Sequence, residues 1–216
     1  LSLDNLNFAQ QNILEFAPKN KKDKYDYIIC HGIFSWVPEN VRTAILDICN
    51  NYLSDNGVAI ISYNALPGWN SIRSLREMMI YHVKRFNTPI EKVAQAKHLL
   101  SFLADNVPAN NTAYKTIIEN EMKLLNTTNE SYLYHDHLEG ENVQFYLSDF
   151  VTEARAKGLD YVGDANFNSM YIGNMPKDAM EKLQAINDIV AQEQYMDFIN
   201  NRRFRSTILC KQGNKI

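Results

Sequence analysis

The sequence predicts an α/β fold interrupted by a helical insertion, and three observations support this prediction. Two short apolar runs, at residues 27–30 and 58–62, have the length and composition of buried parallel strands. One amphipathic helical pattern lies between them, and strand, helix and strand in that order make a βαβ unit with a right-handed crossover. Residues 67–142 then show mainly helical patterns, before strand and helix signals alternate again.

Each predicted element before the insertion has its own local signal. Pro38 and Glu39 open the helix of the βαβ unit, since proline and an acidic residue are favoured in a first helical turn. Partial alternation of apolar side chains predicts an additional strand upstream. The elements, in order, are a strand within 3–13, a strand at 27–30, a helix at 38–53, a turn at 55–57 and a strand at 58–63.

The later elements are predicted in the same way. Thr88 and Glu91 form a capping-box pattern that starts a helix at Pro89, and Gly158 is placed to end one, since glycine is favoured just past a helix C-terminus. The predicted elements are helices at 71–86, 89–106, 112–125 and 144–157, a strand at 159–162, helices at 177–190 and 192–202, and a strand at 206–211.

Composition narrows the function classes. The net charge of −3 disfavours a nucleic-acid partner, because such proteins usually present a basic face. Cys30, Cys49 and Cys210 show neither a pairing rhythm nor a CxxC metal pattern, which predicts buried thiols in a reducing, cytoplasmic compartment. No apolar run reaches about 18 residues, so we expect no membrane span and no membrane partner.

Two loops of unusual composition follow the strands of the βαβ unit. The first reads HGIFSWVP and the second YNALPGW. Ligands of α/β sheets bind beyond the carboxyl ends of the strands, where both loops would lie. Loop aromatics often only pack the loop down, but several at one edge suit a pocket for a flat or cationic group. We therefore predict that Phe34, Trp36 and Trp69 bind substrate.

Several segments of the sequence resemble a known family. Two segments resemble the C-terminal part of class I S-adenosylmethionine-dependent methyltransferases. They are FVTEARAKGLDYVGDA and RSTILCK, the last predicted strand. Other segments resemble methyltransferases that carry a methyltransferase regulatory domain, among them rickettsial protein lysine methyltransferases. These segments are HGIFSWVPE, SYNALPGW, AQAKHLLSFLADNVP, YLYHDHLE and QYMDFINNRRFRSTILC. The resemblance covers nearly the whole chain.

The resemblance implies a domain organisation. Residues 1–66 and 143–213 would form a partial Rossmann-like methyltransferase core containing strands three to seven. Residues 67–142 would be a helical regulatory insertion that roofs the substrate entrance. The family's Gly-rich loop and ribose-binding acid are absent, and the sequence contains no GxGxG. The N-terminal cofactor-binding half of the core would therefore precede Leu1.

The resemblance also implies cofactor contacts. Asn12 and Ile13 would follow the third strand, where an amide oxygen can accept a hydrogen bond from adenine and an apolar neighbour can pack on the ring. His31 and Gly32 would pass under the methionine moiety of S-adenosylmethionine, since glycine permits a close backbone approach. A plain loop asparagine and a strand-end histidine are the competing interpretations.

Tyr63 and Asn64 are the predicted catalytic residues. They lie where a polar group could position the attacking atom, and methyl transfer depends mainly on holding the nucleophile in line. A lysine amine, with a reference pKa of about 10.4, would have to lose its proton, which a poorly hydrated aromatic pocket favours. The His135-x-His137 spacing lacks a third ligand, so we expect a polar capping or interface segment and no metal.

The predicted activity is thus S-adenosylmethionine-dependent methyl transfer, with a protein lysine as the favoured acceptor. Two alternatives stay open. The chain could be a non-catalytic regulatory or dimerisation module of a larger protein, with helices in 69–142 that bind a partner or form a homodimer. It could also belong to a small-molecule methyltransferase.

Overall fold

The computed structural model describes residues 5–18, 20 and 23–214. Within these residues lie five strands: β1 Tyr25–Cys30, β2 Leu53–Ala65, β3 Gln144–Phe145, β4 Leu159–Asp164 and β5 Phe204–Lys211. The same residues contain the helices α1 Glu39–Tyr52, α2 Trp69–Val83, α3 Pro89–Asn106, α4 Thr112–Thr127, α5 Glu130–Leu133, α6 Leu147–Ala156, α7 Lys177–Gln184 and α8 Ile189–Asn200. A short π-helical turn, Tyr134–Leu138, follows α5.

The strands form one mixed sheet in the order β1-β2-β5-β4. β1 and β2 are parallel and joined by α1, which confirms the predicted βαβ unit. β5 is antiparallel to both β2 and β4, and β3 adds a two-residue parallel pairing at the end of β2. The α/β class is therefore confirmed, and the antiparallel β4–β5 pair lies at one edge of the sheet.

The strand predicted within residues 3–13 is wrong for the part that the structure describes; residues 1–4 lie outside it. Residues 5–12 form no helix or strand, and Ile13–Glu15 make one 3₁₀ turn. The side chain of Asn12 accepts a hydrogen bond from the Leu14 N–H at 3.1 Å, and such a local bond competes with strand pairing. Phe8 is 94% exposed, so this side chain of the alternating pattern does not pack into a core.

The turn predicted at residues 55–57 is also wrong, because β2 begins at Leu53 and runs through it. The pairing with β1 is irregular there: Tyr25 lies opposite Leu53, and Tyr27 lies opposite Val58. The additional residues of β2 form a bulge. A Cβ on Gly57 would lie 2.8 Å from the carbonyl oxygen of Tyr25, so this glycine serves close strand contact.

The ends of several helices differ from the predicted ones. The helix predicted at 144–157 begins at Leu147, because Gln144 and Phe145 pair with the end of β2. The helix predicted at 177–190 ends at Gln184, and Asp188 caps the next helix through the Ala191 N–H at 3.0 Å. By contrast, α3 has its predicted bounds and its capping box.

The described residues bury two separate hydrophobic clusters. The first, the sheet core, lies on the sheet under α1 and α6 and includes Cys30, Cys49, Leu53 and Phe150. The second, the insertion core, lies among α2, α3 and α4 and includes Leu75, Met79, Leu100, Ile118 and Leu125. The helices that follow β2 thus pack around a cluster of their own, and the insertion at residues 67–142 stays a prediction.

All three cysteines are free and buried, as predicted from their spacing. Burial raises the pKa of the Cys30 thiol to about 11 and that of the Cys49 thiol to about 12. No helix in the described part of the chain is long and apolar enough to cross a membrane.

Candidate functional site

A cavity of about 460 Å³ lies at the carboxyl ends of β1 and β2. Its sheet side is lined by His31, Gly32 and Asn64. Because β5 is antiparallel to β2, the start of β5 reaches the same edge, and Arg203 and Phe204 contribute to the wall there. The insertion closes the opposite side. This is the edge at which α/β sheets bind their ligands.

Trp36 and Trp69 form the aromatic wall of the cavity. Their ring centroids are 6.2 Å apart in an edge-to-face arrangement. Trp69 is the first residue of α2 and is buried, whereas Trp36 is half-buried in the loop after β1. The face of a tryptophan attracts cations by about 0.5–2 kcal/mol. The two loops therefore come together, as predicted, into a surface suited to a positively charged group.

Gly32 turns the chain after β1 into this wall. Its φ of +70° lies in the left-handed region that favours glycine. Its N–H donates a hydrogen bond to the Ser62 hydroxyl oxygen at 2.7 Å, which fixes the loop to β2. Nothing lies within 4 Å of the position that a Cβ would occupy, so the backbone is open to a ligand.

Asn64 is held by both of its neighbouring segments. Its backbone N–H donates to the Ser35 hydroxyl oxygen at 2.8 Å, and its side-chain Nδ2 donates to the Asn142 Oδ1 at 3.1 Å. The side chain is buried at the cavity wall. The sequence did not predict that Ser35 and Asn142 hold Asn64. Serine and asparagine are common in loops, so their presence alone does not indicate such a contact.

Two predicted site residues lie in the sheet core instead of the cavity wall. Phe34 is fully buried, with its ring 5.3 Å from that of Phe150. Tyr63 stacks on the same Phe150 ring at 4.2 Å, and its hydroxyl group is 2.9 Å from the Thr207 hydroxyl oxygen. Burial raises the pKa of Tyr63 above its ordinary value. Successive strand residues point to opposite faces, so Asn64 reaches the cavity and Tyr63 does not.

The predicted adenine-binding pair also lies apart from the cavity. Asn12 uses its amide oxygen to cap the turn that follows it, and Ile13 packs partly buried against the sheet core. Of the nine predicted site residues, the structure thus brings five to the cavity: His31, Gly32, Trp36, Asn64 and Trp69.

The insertion supplies residues that sequence reasoning did not assign to the site. Leu124, His135 and Asp136 line the cavity opposite the sheet. The His135 ring lies 4.6 Å from the Trp36 ring, and its Nδ1 is 3.0 Å from the Asp136 Oδ1. The signal in the sequence was the histidine-rich segment itself, but only the packing of the insertion over the sheet shows which side chain faces the cavity.

His137 points away from this cavity into the protein. Its Nε2 lies 2.7 Å from the Glu121 Oε1, and both side chains are buried. Arg203 donates to the other oxygen of Glu121 at 3.4 Å. Burial alone would raise the pKa of Glu121, but the bonds from His137 and Arg203 outweigh it and hold the pKa below its usual value. This carboxylate therefore joins α4 to the start of β5.

The two histidines of the His135-x-His137 segment thus lie in different environments: His135 lines the cavity, and His137 is buried beside Glu121. In the part of the chain that the structure describes, no three His, Cys, Asp or Glu side chains are grouped to hold a metal ion.

The fold and the cavity together define an α/β protein with a cavity at the carboxyl ends of its parallel strands, lined on one side by the helical residues that follow β2. Residues 129–211 match a family described as the predicted methyltransferase regulatory domain. This range begins just before α5 and ends with β5, so it overlaps the insertion predicted at 67–142 only over residues 129–142. The resemblance to methyltransferases that carry such a domain is confirmed.

The chain is also similar to individual proteins over nearly its whole length. The chain is 48% identical over 216 residues to the uncharacterized protein RP789 of Rickettsia prowazekii, and 26% identical over 211 residues to the uncharacterized protein sll1526 of Synechocystis. It covers 39% and 41% of those proteins, so it spans about two fifths of their length. The structure of PKMT2 from Rickettsia typhi in complex with AdoHcy has a TM-score of 0.83 and 46% identity, over 94% of this chain and 39% of that one.

Proposed function

We propose that the protein transfers a methyl group from S-adenosylmethionine to the side-chain amine of a protein lysine. The observation that carries this proposal is the cavity at the carboxyl ends of β1 and β2, with Trp36 and Trp69 in its wall. A sulfonium cofactor and an ammonium substrate are both attracted to aromatic faces. The PKMT2 structure with AdoHcy, the product of the same cofactor, supports the assignment.

The residues present fit one part of such a cofactor. The open backbone at Gly32 allows close approach, and His31 and Asn64 add polar groups beside it. When bound, the cofactor supplies an electrophilic methyl group. We propose that residues outside this chain hold most of the ribose and adenine, with Asn12 and Ile13 as the candidates within it. The second lone pair of the Asn12 amide oxygen is able to accept a further bond.

The chain's own residues orient the acceptor. The Asn64 backbone is fixed by its bond to Ser35 and the side-chain amide by its bond to Asn142, so the amide holds one position without reorganisation during the reaction. The tryptophan faces hold the cationic end of a lysine while its aliphatic stem packs against the apolar wall.

Methylation by the full-length protein tests the proposal. We expect calorimetry to show AdoHcy binding, and tritium from labelled S-adenosylmethionine to appear in lysine residues of added proteins. Absence of AdoHcy binding would refute methyl transfer and favour the regulatory or dimerisation module. Label in small amines alone would favour a small-molecule methyltransferase.

Substitution of the aromatic wall tests the site itself. Trp36→Ala should raise the KM for the acceptor about 2- to 30-fold, the loss of one cation–π contact. Tyr81→Ala is the matched control, because this side chain of α2 is 78% exposed and does not line the cavity. Equal kinetics for the two variants would contradict the assignment of Trp36.

A further inference from the structure

The insertion places a histidine and a carboxylate side by side in the cavity wall. The Nδ1 of His135 lies 3.0 Å from the Asp136 Oδ1, and the ring packs against Trp36 at 4.6 Å. The Asp136 side chain is only 15% exposed, whereas that of His135 is 50% exposed. Asp136 and Trp36 thus hold the His135 ring on two sides, while the side chain stays half-exposed in the lining of the cavity.

The contact with Asp136 favours one tautomer of the His135 ring. A carboxylate is an acceptor, so it favours the tautomer that carries its proton on Nδ1. The Nε2 then has a free lone pair, and none of the described residues bonds to it. A neutral imidazole with an oriented free nitrogen is a suitable proton acceptor near neutral pH.

The other ionisable groups of the cavity are less suited to accept a proton. Arg203 is a permanent cation and bonds to Glu121. The Asp136 carboxylate is already engaged with the His135 ring. The His31 ring lies against Phe204 at 5.9 Å, and no described carboxylate bonds to it.

Charged groups on the elements packed around His135 are directed elsewhere. Arg76 of α2 donates to the backbone carbonyls of Glu139 and Gly140. Lys97 of α3 lies 3.9 Å from Glu130 of α5. Asp136 is therefore the charged side chain in direct contact with the His135 ring.

We infer that the imidazole of His135, oriented by the carboxylate of Asp136, accepts the proton of the substrate ammonium group. This inference rests on the proposed function. A free lysine amine has a pKa of about 10.4, so only about one amine in 2,500 is neutral at pH 7. Asp136 acts as a positioning residue, because it bonds to the imidazole and not to the reacting nitrogen.

The step balances in atoms and charge. The proton moves from the acceptor ammonium to the Nε2 of His135, which becomes an imidazolium and leaves a neutral amine. The amine lone pair forms the bond to the methyl carbon, and the carbon–sulfur bond breaks with its electron pair remaining on sulfur. The total charge is unchanged, since the sulfonium charge is replaced by that of the methylated ammonium.

The pH profile of methyl transfer by the full-length protein tests this role. In the wild-type protein, the single-turnover rate should rise with pH as a histidine loses its proton. His135→Asn should lower the rate at neutral pH by about 10²- to 10⁴-fold. It should also remove that rise, so that activity recovers only as the pH nears the pKa of the free amine. His98→Asn is the matched control, because His98 is exposed on α3 outside the cavity.

Three further measurements separate a chemical role from a structural one. AdoHcy affinity should be the same in wild type and His135→Asn, and added imidazole should restore part of the rate of His135→Ala. In nuclear magnetic resonance spectra of the AdoHcy complex, Asp136→Asn should shift the balance between the two neutral tautomers of the His135 ring, because the ring loses the carboxylate that accepts from Nδ1.

The outcomes also distinguish the inference from the function on which it rests. A wild-type protein that binds no AdoHcy and methylates no protein would overturn both. Intact methylation with the same pH profile in wild type and His135→Asn would overturn the role of His135 alone. Loss of AdoHcy affinity in His135→Asn would assign the residue to cofactor binding and would likewise overturn it.

Discussion

Phe34 and Trp36 lie two positions apart in one loop, yet they serve different parts of the protein. Phe34 is fully buried among Phe145 and Phe150, whereas Trp36 faces the cavity. The sequence identified both as loop aromatics at the ligand edge. It could not separate them, because a loop has no periodicity from which the direction of a side chain can be inferred.

Truncating Phe34 should therefore affect stability. Phe34→Ala removes a fully buried ring from the sheet core, and we expect the free energy of unfolding to fall by about 3–5 kcal/mol. Urea unfolding followed by circular dichroism measures this loss. Phe167→Ala is the control, since Phe167 is 82% exposed and its truncation should cost less than about 0.5 kcal/mol. A similar small loss for both variants would contradict the packing of Phe34.

Arg205 is the centre of a buried ionic cluster. Its Nε lies 2.7 Å from the Asp197 Oδ2, and its Nη1 lies 3.2 Å from the Glu193 Oε2 and 3.4 Å from the Asp164 Oδ2. Arg202 contributes a second guanidinium 3.0 Å from Asp164. Three carboxyl groups thus share two cations, so one carboxyl lacks a full countercharge. Burial raises the pKa of Glu193, and it does the same for Asp197.

The raised pKa of Glu193 predicts a pH-dependent stability. The folded protein binds this proton more tightly than the unfolded chain, so the stabilisation is complete below the ordinary pKa and is lost as pH rises through the folded value. Glu193→Gln should flatten the decline in unfolding free energy above about pH 4.5, the ordinary value. Urea unfolding at a series of pH values measures the slope. Glu119→Gln, half-exposed beside Lys115, should leave it unchanged, and an unaltered slope in Glu193→Gln would refute the assignment.

At the scale of single elements, Gly158 shows how a helix end is fixed. It follows α6 with a φ of +78°, as its position in the sequence predicted. A Cβ there would also lie 3.1 Å from the Asn50 Oδ1 of α1. Backbone conformation and neighbouring side chain therefore both favour glycine.

Gly158→Ala should destabilise the protein by about 1–2 kcal/mol, because alanine is strained at positive φ and crowds Asn50. Gly140→Ala is the matched control. Gly140 has no positive φ, and nothing lies within 4 Å of the position that its Cβ would occupy, so the substitution should be neutral or slightly stabilising. Thermal unfolding of the two variants gives the comparison, and equal melting temperatures would refute this account of Gly158.

Element prediction succeeded where the signal was local. The bounds of α3 follow from Thr88, Pro89 and Glu91, which act through bonds within one turn. It failed where distant partners decided the outcome. β2 extends back to Leu53 because β1 pairs with it there, and α6 begins late because β3 pairs with β2. Neither strand pairing can be inferred from the local pattern of apolar and polar residues.

At the scale of the whole molecule, the two hydrophobic cores position opposite sides of the cavity. The sheet core fixes the loops after β1 and β2, and the insertion core fixes the segment that carries His135. The sequence predicted both the ligand edge and an insertion above it. It could not predict which residues meet across the cavity, because that depends on how α4 and the π-helical turn pack onto the sheet, as in the contact of Glu121 with Arg203.

Two separate cores predict two units of cooperative unfolding. Leu53 belongs to the sheet core and Leu100 to the insertion core, and both are almost fully buried. Each leucine-to-alanine substitution should cost about 2–5 kcal/mol, but in a different unit. Native-state hydrogen exchange resolves this, because it measures the free energy of opening for each segment.

Leu100→Ala should accelerate amide exchange in α2, α3 and α4 far more than in β2 and β5. Leu53→Ala is its matched counterpart, with the same chemical change in the other core, and should accelerate exchange mainly in the strands. Equal acceleration in both regions by either variant would show that the insertion and the sheet unfold as one unit. Opening of the insertion alone would also expose His135 and Trp36 without unfolding β1 or β2, because the insertion covers one side of the cavity and the sheet core holds the other.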